Sequence, residues 1–187
     1  LRLQGAKVAA EEQALSDMLT GLGNRRALDI AIRKIISTGV SFGLMHIDLD
    51  YFKAVNDTLG HAAGDHVLRV VARVLSEETR IGDTLARVGG DEFVVVLPDL
   101  SDRVEMGQIA DRIIENLSQP TAFEGKICRV SASIGMTIST DYVTVTADQM
   151  LNDADQALYA SKHAGRGRAM HSTVRGPGSR KHDLRIG

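Results

Sequence analysis

Apolar residues recur along the chain with two different periods, and the changes between them outline the elements. A spacing near 3.6 marks helices. Ala27, Leu28, Ala31, Ile32 and Ile35 predict a helix over 24–37, and Val67, Leu68, Val71, Val74 and Leu75 predict one over 66–76. Met150, Leu151, Ala154, Ala157 and Leu158 predict another over 146–164, and 101–117 reads as a helix stopped before Pro120. Alternation with a period of two predicts strands over 41–48, where Phe42, Leu44 and Ile47 lead into acidic residues, and over 128–139. Two short β-rich runs, 84–87 and 93–97, flank Gly89 and Gly90, which is a hairpin signal. Helix, strand, helix, hairpin, helix, strand, helix in this order predicts an α+β fold, with helices packed on the faces of a mixed sheet.

The ends read differently. Leu3, Ala6, Ala10 and Ala14 stand among polar residues and read as an exposed helix, the end of a coiled coil, or as a frayed terminus. Gly176, Pro177, Gly178 and Ser179 near the other terminus predict a flexible tail. The expected organisation is a linker helix over 1–16, one domain over 17–170 and a tail over 171–187.

Composition narrows the function. Among 187 residues, 22 basic and 24 acidic side chains give a formal charge of -2, which speaks against grip on a nucleic-acid backbone. The one cysteine, Cys128, excludes an internal disulfide and a thiolate zinc site. No apolar run approaches the roughly 20 residues that span a bilayer, so no membrane contact is expected from this segment. A cytoplasmic setting is the expectation, with any membrane anchor placed upstream of the chain.

Four constellations carry chemistry. Asp48-Leu49-Asp50-Tyr51-Phe52-Lys53 sets two carboxylates on one strand face, which is unfavourable unless a cation lies between them. Lys53 adds a positive charge within reach of phosphates that such a cation would hold. Arg87-Val88-Gly89-Gly90-Asp91-Glu92-Phe93 places two acids beside a tight turn. If that hairpin lies beside the first strand, Asp91 joins Asp48 and the pair suits metal-assisted phosphoryl or nucleotidyl transfer. Asn56 and Asp65 offer donors and acceptors that would read a purine edge, although Asp65 also suits the N-cap of a helix starting at His66. Lys162 and Arg166, four apart, would project from one helix face and grip a triphosphate, or simply complement the helix C-terminus.

Together these motifs resemble the GGDEF family of diguanylate cyclases, over nearly all of 17–168. Asp17-Met18-Leu19-Thr20-Gly21-Leu22-Gly23-Asn24-Arg25-Arg26 resembles the family's opening signature. Asn56-Asp57, Gly60-His61-Ala62-Ala63-Gly64-Asp65, the unbroken Gly89-Gly90-Asp91-Glu92-Phe93, and Ala157-Leu158-Tyr159-Ala160-Ser161-Lys162 follow in the family's order. The resemblance implies a mainly antiparallel central sheet akin to polymerase palms and nucleotidyl cyclases. It implies one GTP per domain with Mg²⁺ or Mn²⁺, two ions per site. It further implies a homodimer in which each 3′-hydroxyl attacks the other GTP, giving cyclic di-GMP.

By the same resemblance Asp48, the Leu49 carbonyl, Asp91 and Glu92 would hold metal. Asp91 or Glu92 would help deprotonate the hydroxyl, and the sequence leaves open which. Asn56 and Asp65, with Phe52 beside them, would bind the guanine. Lys53, Lys162 and Arg166 would neutralise phosphates, Lys53 nearest the developing charge. Arg80 and Asp83 stand at the spacing of the family's inhibitory product site, where bound cyclic di-GMP would feed back on turnover. A surface ion pair in a loop is the plainer reading of those two residues. The N-terminal helix would be the linker from an upstream sensor absent from this chain. A nucleotide receptor without turnover competes with the cyclase reading, but would have no reason to keep Asp48, Asp91 and Glu92 together.

Overall fold

A computed structural model describes residues 14–173; the expected linker helix before Ala14 and the tail beyond Thr173 lie outside them. Thirteen elements follow in chain order: α1 (Arg25–Thr38), β1 (Phe42–Asp50), α2 (Phe52–Leu59), α3 (His61–Glu78), β2 (Thr84–Arg87), β3 (Glu92–Pro98), α4 (Arg103–Leu117), β4 (Thr121–Phe123), β5 (Lys126–Cys128), β6 (Ser131–Ile138), a 3₁₀ turn (Ser139–Asp141), α5 (Ala147–His163) and β7 (Ala169–His171). The main sheet runs β2-β3-β1-β6-β7, antiparallel except for the β6–β7 edge, and β4–β5 form a separate ribbon.

Both faces of the sheet are covered, as the element order requires. Phe42 and Leu44 of β1 pack with Val94 and Val96 of β3 beneath Leu28 and Ile32 of α1 and Met150 and Ala154 of α5. The alternate residues Met45, Ile47 and Leu49 face the other way, onto Val67, Val71 and Leu75 of α3 and Met106 and Ile113 of α4. Close approach sets the sheet–helix spacing at one point. A Cβ on Gly135 of β6 would collide with the backbone of Ala154 and Leu158, so α5 lies directly on the strand. No helix among the described residues is long and apolar enough to cross a membrane.

Several boundaries differ from expectation. The helix expected over 66–76 starts at His61, and the eight-residue α2 precedes it with Gly60 as the pivot, at φ 92°. Asp65 is therefore inside α3, and the N-cap position belongs to Gly60. The run over 128–139 divides, its first residue ending β5 and Ser131–Ile138 forming β6. Strand β7 crosses the boundary expected after residue 170, and the Ser172 amide extends the pairing by donating to the Met136 carbonyl at 2.8 Å.

Candidate functional site

The site gathers where β1 runs out beside the β2–β3 turn. In the β1–β3 register Asp48 pairs with Glu92, and the Leu49 amide donates to the Asp91 carbonyl at 3.1 Å. Alternation puts Asp48 and Glu92 on the sheet face that α5 covers, and there the Lys162 ammonium lies 2.6 Å from Asp48 Oδ1. The acids crowd one another. Burial raises the proton affinity of Asp91, and the charge of Asp48 adds to it; Asp91's own amide and Lys162 oppose them, while Glu92 reinforces the rise. Among the described residues no three acidic, histidine or cysteine side chains form a ready-made metal cage. The donors present are hard carboxylate oxygens held close in like charge, which suits a cation that takes one or two carboxylates and completes its shell from substrate phosphates.

The second carboxylate expected at this cation, Asp50, has another task. It is 2% exposed and accepts from the Ser133 hydroxyl at 2.9 Å and from the Gly167 amide at 3.0 Å. Period two places Asp48 and Asp50 on one face, but β6 and the loop after α5 close over Asp50 alone. That loop also changes the reading of Arg166. Helix α5 ends at His163, and Gly165, Arg166 and Gly167 all have positive φ, so Lys162 and Arg166 do not share a helix face. Arg166 instead reaches back, its Nε 3.9 Å from Asp50 Oδ1 and its guanidinium 5.9 Å from the Tyr51 ring centroid.

Asn56 and Asp65 come from the packed pair α2 and α3. Gly64 is buried, and a Cβ there would strike Asn56 Oδ1 and lie 3.3 Å from Phe52 Cζ. The missing side chain thus lets α2 close onto α3 and seats the Asn56 amide against Gly64, the residue before Asp65. Phe52 is largely buried on the inner side of α2, while Lys53 stands exposed in its first turn.

Arg80 and Asp83 lie at the base of the β2–β3 hairpin, the end away from the acids. Asp83 caps its own turn, accepting from the Arg80 amide at 2.7 Å. The Arg80 guanidinium turns instead to Glu105 of α4, at 3.2 Å. Both residues line a cleft of about 230 Å³ that Glu78, Glu105 and Arg112 also border.

Sequence reasoning missed two residues near the site, the first a support of the turn. Arg87 donates to the Gly90 carbonyl at 2.8 and 3.1 Å and to both oxygens of Asp17 at 3.3 Å, tying the glycine tip to the opening segment. Burial alone would raise Asp17, but Thr20's hydroxyl and amide and the Arg87 charge outweigh it and hold the carboxyl below its usual range. Its signal was an arginine set two residues before paired glycines. The other is His46, two residues before Asp48 and so on the same face, with Nε2 buried and unpartnered. Burial holds its imidazole below the ordinary value against the pull of Glu92, Asp155 and Asp48, so the 3.6 Å approach of Asp155 is not an ion pair at neutral pH. Nothing in the alternation distinguishes this His from a core residue.

The profile of the family described as "Diguanylate cyclase, GGDEF domain" matches residues 14–168. The chain is 45% identical over 161 residues to a probable diguanylate cyclase, DgcE of Escherichia coli, covering 83% of this chain and 14% of that protein. It is 37% identical over 171 residues to the diguanylate cyclase TpbB of Pseudomonas aeruginosa, covering 89% of this chain and 39% of that one. The chain therefore spans well under half the length of these relatives. Among solved structures, the coiled coil and GGDEF domain of DgcB from Caulobacter crescentus, in complex with c-di-GMP, superposes with a TM-score of 0.85 at 28% identity, covering 91% of this chain and 92% of that one.

Proposed function

The chain belongs to the GGDEF diguanylate cyclase family, and on that premise we propose that it condenses two GTP molecules into cyclic di-GMP, with release of two pyrophosphates, across two copies of the domain set face to face. The observation that supports the reading is the β1–β3 register, which sets Asp48 opposite Glu92 and beside the turn of Asp91, with the Lys162 ammonium 2.6 Å from Asp48.

Each half-reaction forms a bond between a 3′-oxygen and an α-phosphorus and breaks the bond from that phosphorus to the bridging oxygen of pyrophosphate. Asp91 or Glu92 accepts the 3′-hydroxyl proton. Asp48, the Leu49 carbonyl, Asp91 and Glu92 are the groups that would hold Mg²⁺ or Mn²⁺, which when bound supplies positive charge against the phosphates and favours the deprotonated hydroxyl. Lys162 stands beside the same acids and would transfer its pairing from Asp48 to phosphate oxygens. Arg166, held by Asp50 and Tyr51 at its own loop, and Lys53 in the first turn of α2 add charge to the approach side. Asn56 and Asp65 hydrogen-bond the guanine edge. The cleft at Arg80 and Asp83 is the product site, through which cyclic di-GMP restrains turnover. Residues 1–16 would link the domain to an upstream sensor that sets how two copies meet.

The test is incubation with GTP and Mg²⁺ over a range of protein concentrations, with products identified by mass spectrometry. Cyclic di-GMP should form at a rate per chain that rises with concentration, and Asp91→Ala should abolish it. A folded chain that binds GTP yet yields no cyclic dinucleotide at high concentration would show a receptor instead.

A further inference from the structure

We propose that Glu105 is a built-in competitor at the Arg80 cleft, an internal carboxylate that occupies the guanidinium any anionic ligand must engage, and so weakens the site. This rests on the reading of that cleft as the product site. Its two arginines are held very differently. Arg112 Nε lies 2.9 Å from Glu78 Oε2, and the other oxygen of Glu78 accepts from Asn116 Nδ2 at 2.7 Å. The Glu78 side chain is only 18% exposed and engaged at both oxygens, so Arg112, itself 52% exposed, is paired with an anchored carboxylate. Arg80 meets Glu105 through one contact of 3.2 Å, with the two side chains 76% and 45% exposed.

Asp83 does not restrain the Arg80 guanidinium, because its carboxylate is committed to the Arg80 amide. Glu105 is therefore the only acid among the described residues paired with that guanidinium, and the contact is light enough to exchange. The charge of the lining points the same way. Two guanidinium groups and the three carboxylates of Glu78, Asp83 and Glu105 line the cleft, which gives it an excess of negative charge. A cyclic dinucleotide with two phosphodiester charges is opposed by that excess, and must also draw Arg80 away from Glu105. Glu105 lies on α4 and Arg80 in the turn before β2, so the exchange leaves the sheet and the catalytic acids in place.

The experiment is calorimetric titration of the whole chain with cyclic di-GMP, comparing the wild type with Glu105→Gln, Asp111→Asn and Arg80→Ala. Asp111 is an exposed acid of the same helix that does not line the cleft, and it controls for charge in general. Glu105→Gln should tighten the dissociation constant roughly three- to fivefold, the scale of one exposed ion pair. Asp111→Asn should change it less than about twofold, as expected for a screened charge away from the ligand. Binding by the wild type that Glu105→Gln leaves unchanged or weakens would overturn the proposal while leaving the product site standing. Equal tightening by Asp111→Asn would overturn it too. Binding that survives Arg80→Ala intact, or its absence in both the wild type and folded Glu105→Gln, would remove the product-site reading itself.

Discussion

Replacing Gly64 by alanine separates base recognition from catalysis. The added methyl would occupy the space of Asn56 Oδ1, with Asn56 Cγ at 3.0 Å and Phe52 Cζ at 3.3 Å. Two stability effects oppose each other. Alanine in a helix interior is favoured over glycine by about 0.8–1.0 kcal/mol. Driving the Asn56 side chain from its rotamer costs about 0.5–1.5 kcal/mol. The balance stays within about 0.7 kcal/mol, a shift in Tm of no more than about 3 °C.

Binding has no such compensation. On the proposed guanine contact, the displaced amide would lose a hydrogen bond to the base worth about 0.5–1.5 kcal/mol, so KM for GTP should rise about three- to tenfold with kcat nearly unchanged. Steady-state kinetics and a thermal melt on the same preparation measure both. Asn56→Ala should reproduce the KM effect, and the double variant should be no worse than Asn56→Ala alone, because the methyl then has nothing to displace. An unchanged KM in a folded Gly64→Ala protein would refute the role of Asn56. A Tm lowered by more than about 6 °C would show that the helices, and not the side chain, absorb the collision.

Asp91→Asn should abolish turnover yet raise Tm by about 1–2 °C at neutral pH, a gain of about 0.5 kcal/mol once solvent screening is allowed for. The sign follows from the raised proton affinity of Asp91: its charged form is penalised in the folded state above its folded pKa, and the penalty fades as pH falls toward the ordinary 3.8. A melt showing destabilisation would contradict this. Gly135→Ala should cost about 3 kcal/mol or more, since the methyl meets the backbone of α5 rather than a movable side chain; an unshifted urea midpoint would mean that α5 does not rest on β6 as described. His46 and His171 are both held below the ordinary imidazole value, chiefly by burial. The unfolded chain then takes up protons first, so stability should fall as pH drops below 6.5. The contribution of each has a slope of at most about 1.4 kcal/mol per pH unit. His46→Leu should flatten the stability profile measured by thermal melts, and an identical slope in that variant would count against the assignment.

The acidic pair at the end of β1 shows how far the sequence could be read. That Asp48 and Asp50 share a face follows from strand alternation and holds in the structure. Their different fates do not follow, because Ser133 and Gly167, which consume Asp50, lie 83 and 117 residues away along the chain. The glycine turn was legible as a hairpin from its own residues, whereas its attachment to Asp17 spans 70 positions. Helix α2 escaped notice because eight residues ending at a glycine carry too few turns to show a period. Strand β7 escaped because three residues on a parallel edge carry no alternation to read.

Local patterning alone therefore settled the longer helices and strands, which face of each is apolar, and which motifs carry acids, amides and cations, since these depend on neighbours a few residues apart. Folding decided which acid meets Lys162 and which is sealed beneath the loop of Arg166. It also decided which carboxylate captures Arg80. Those outcomes depend on which strand lies beside which and on where each helix crosses the sheet, contacts between residues tens of positions apart that no short-range period encodes.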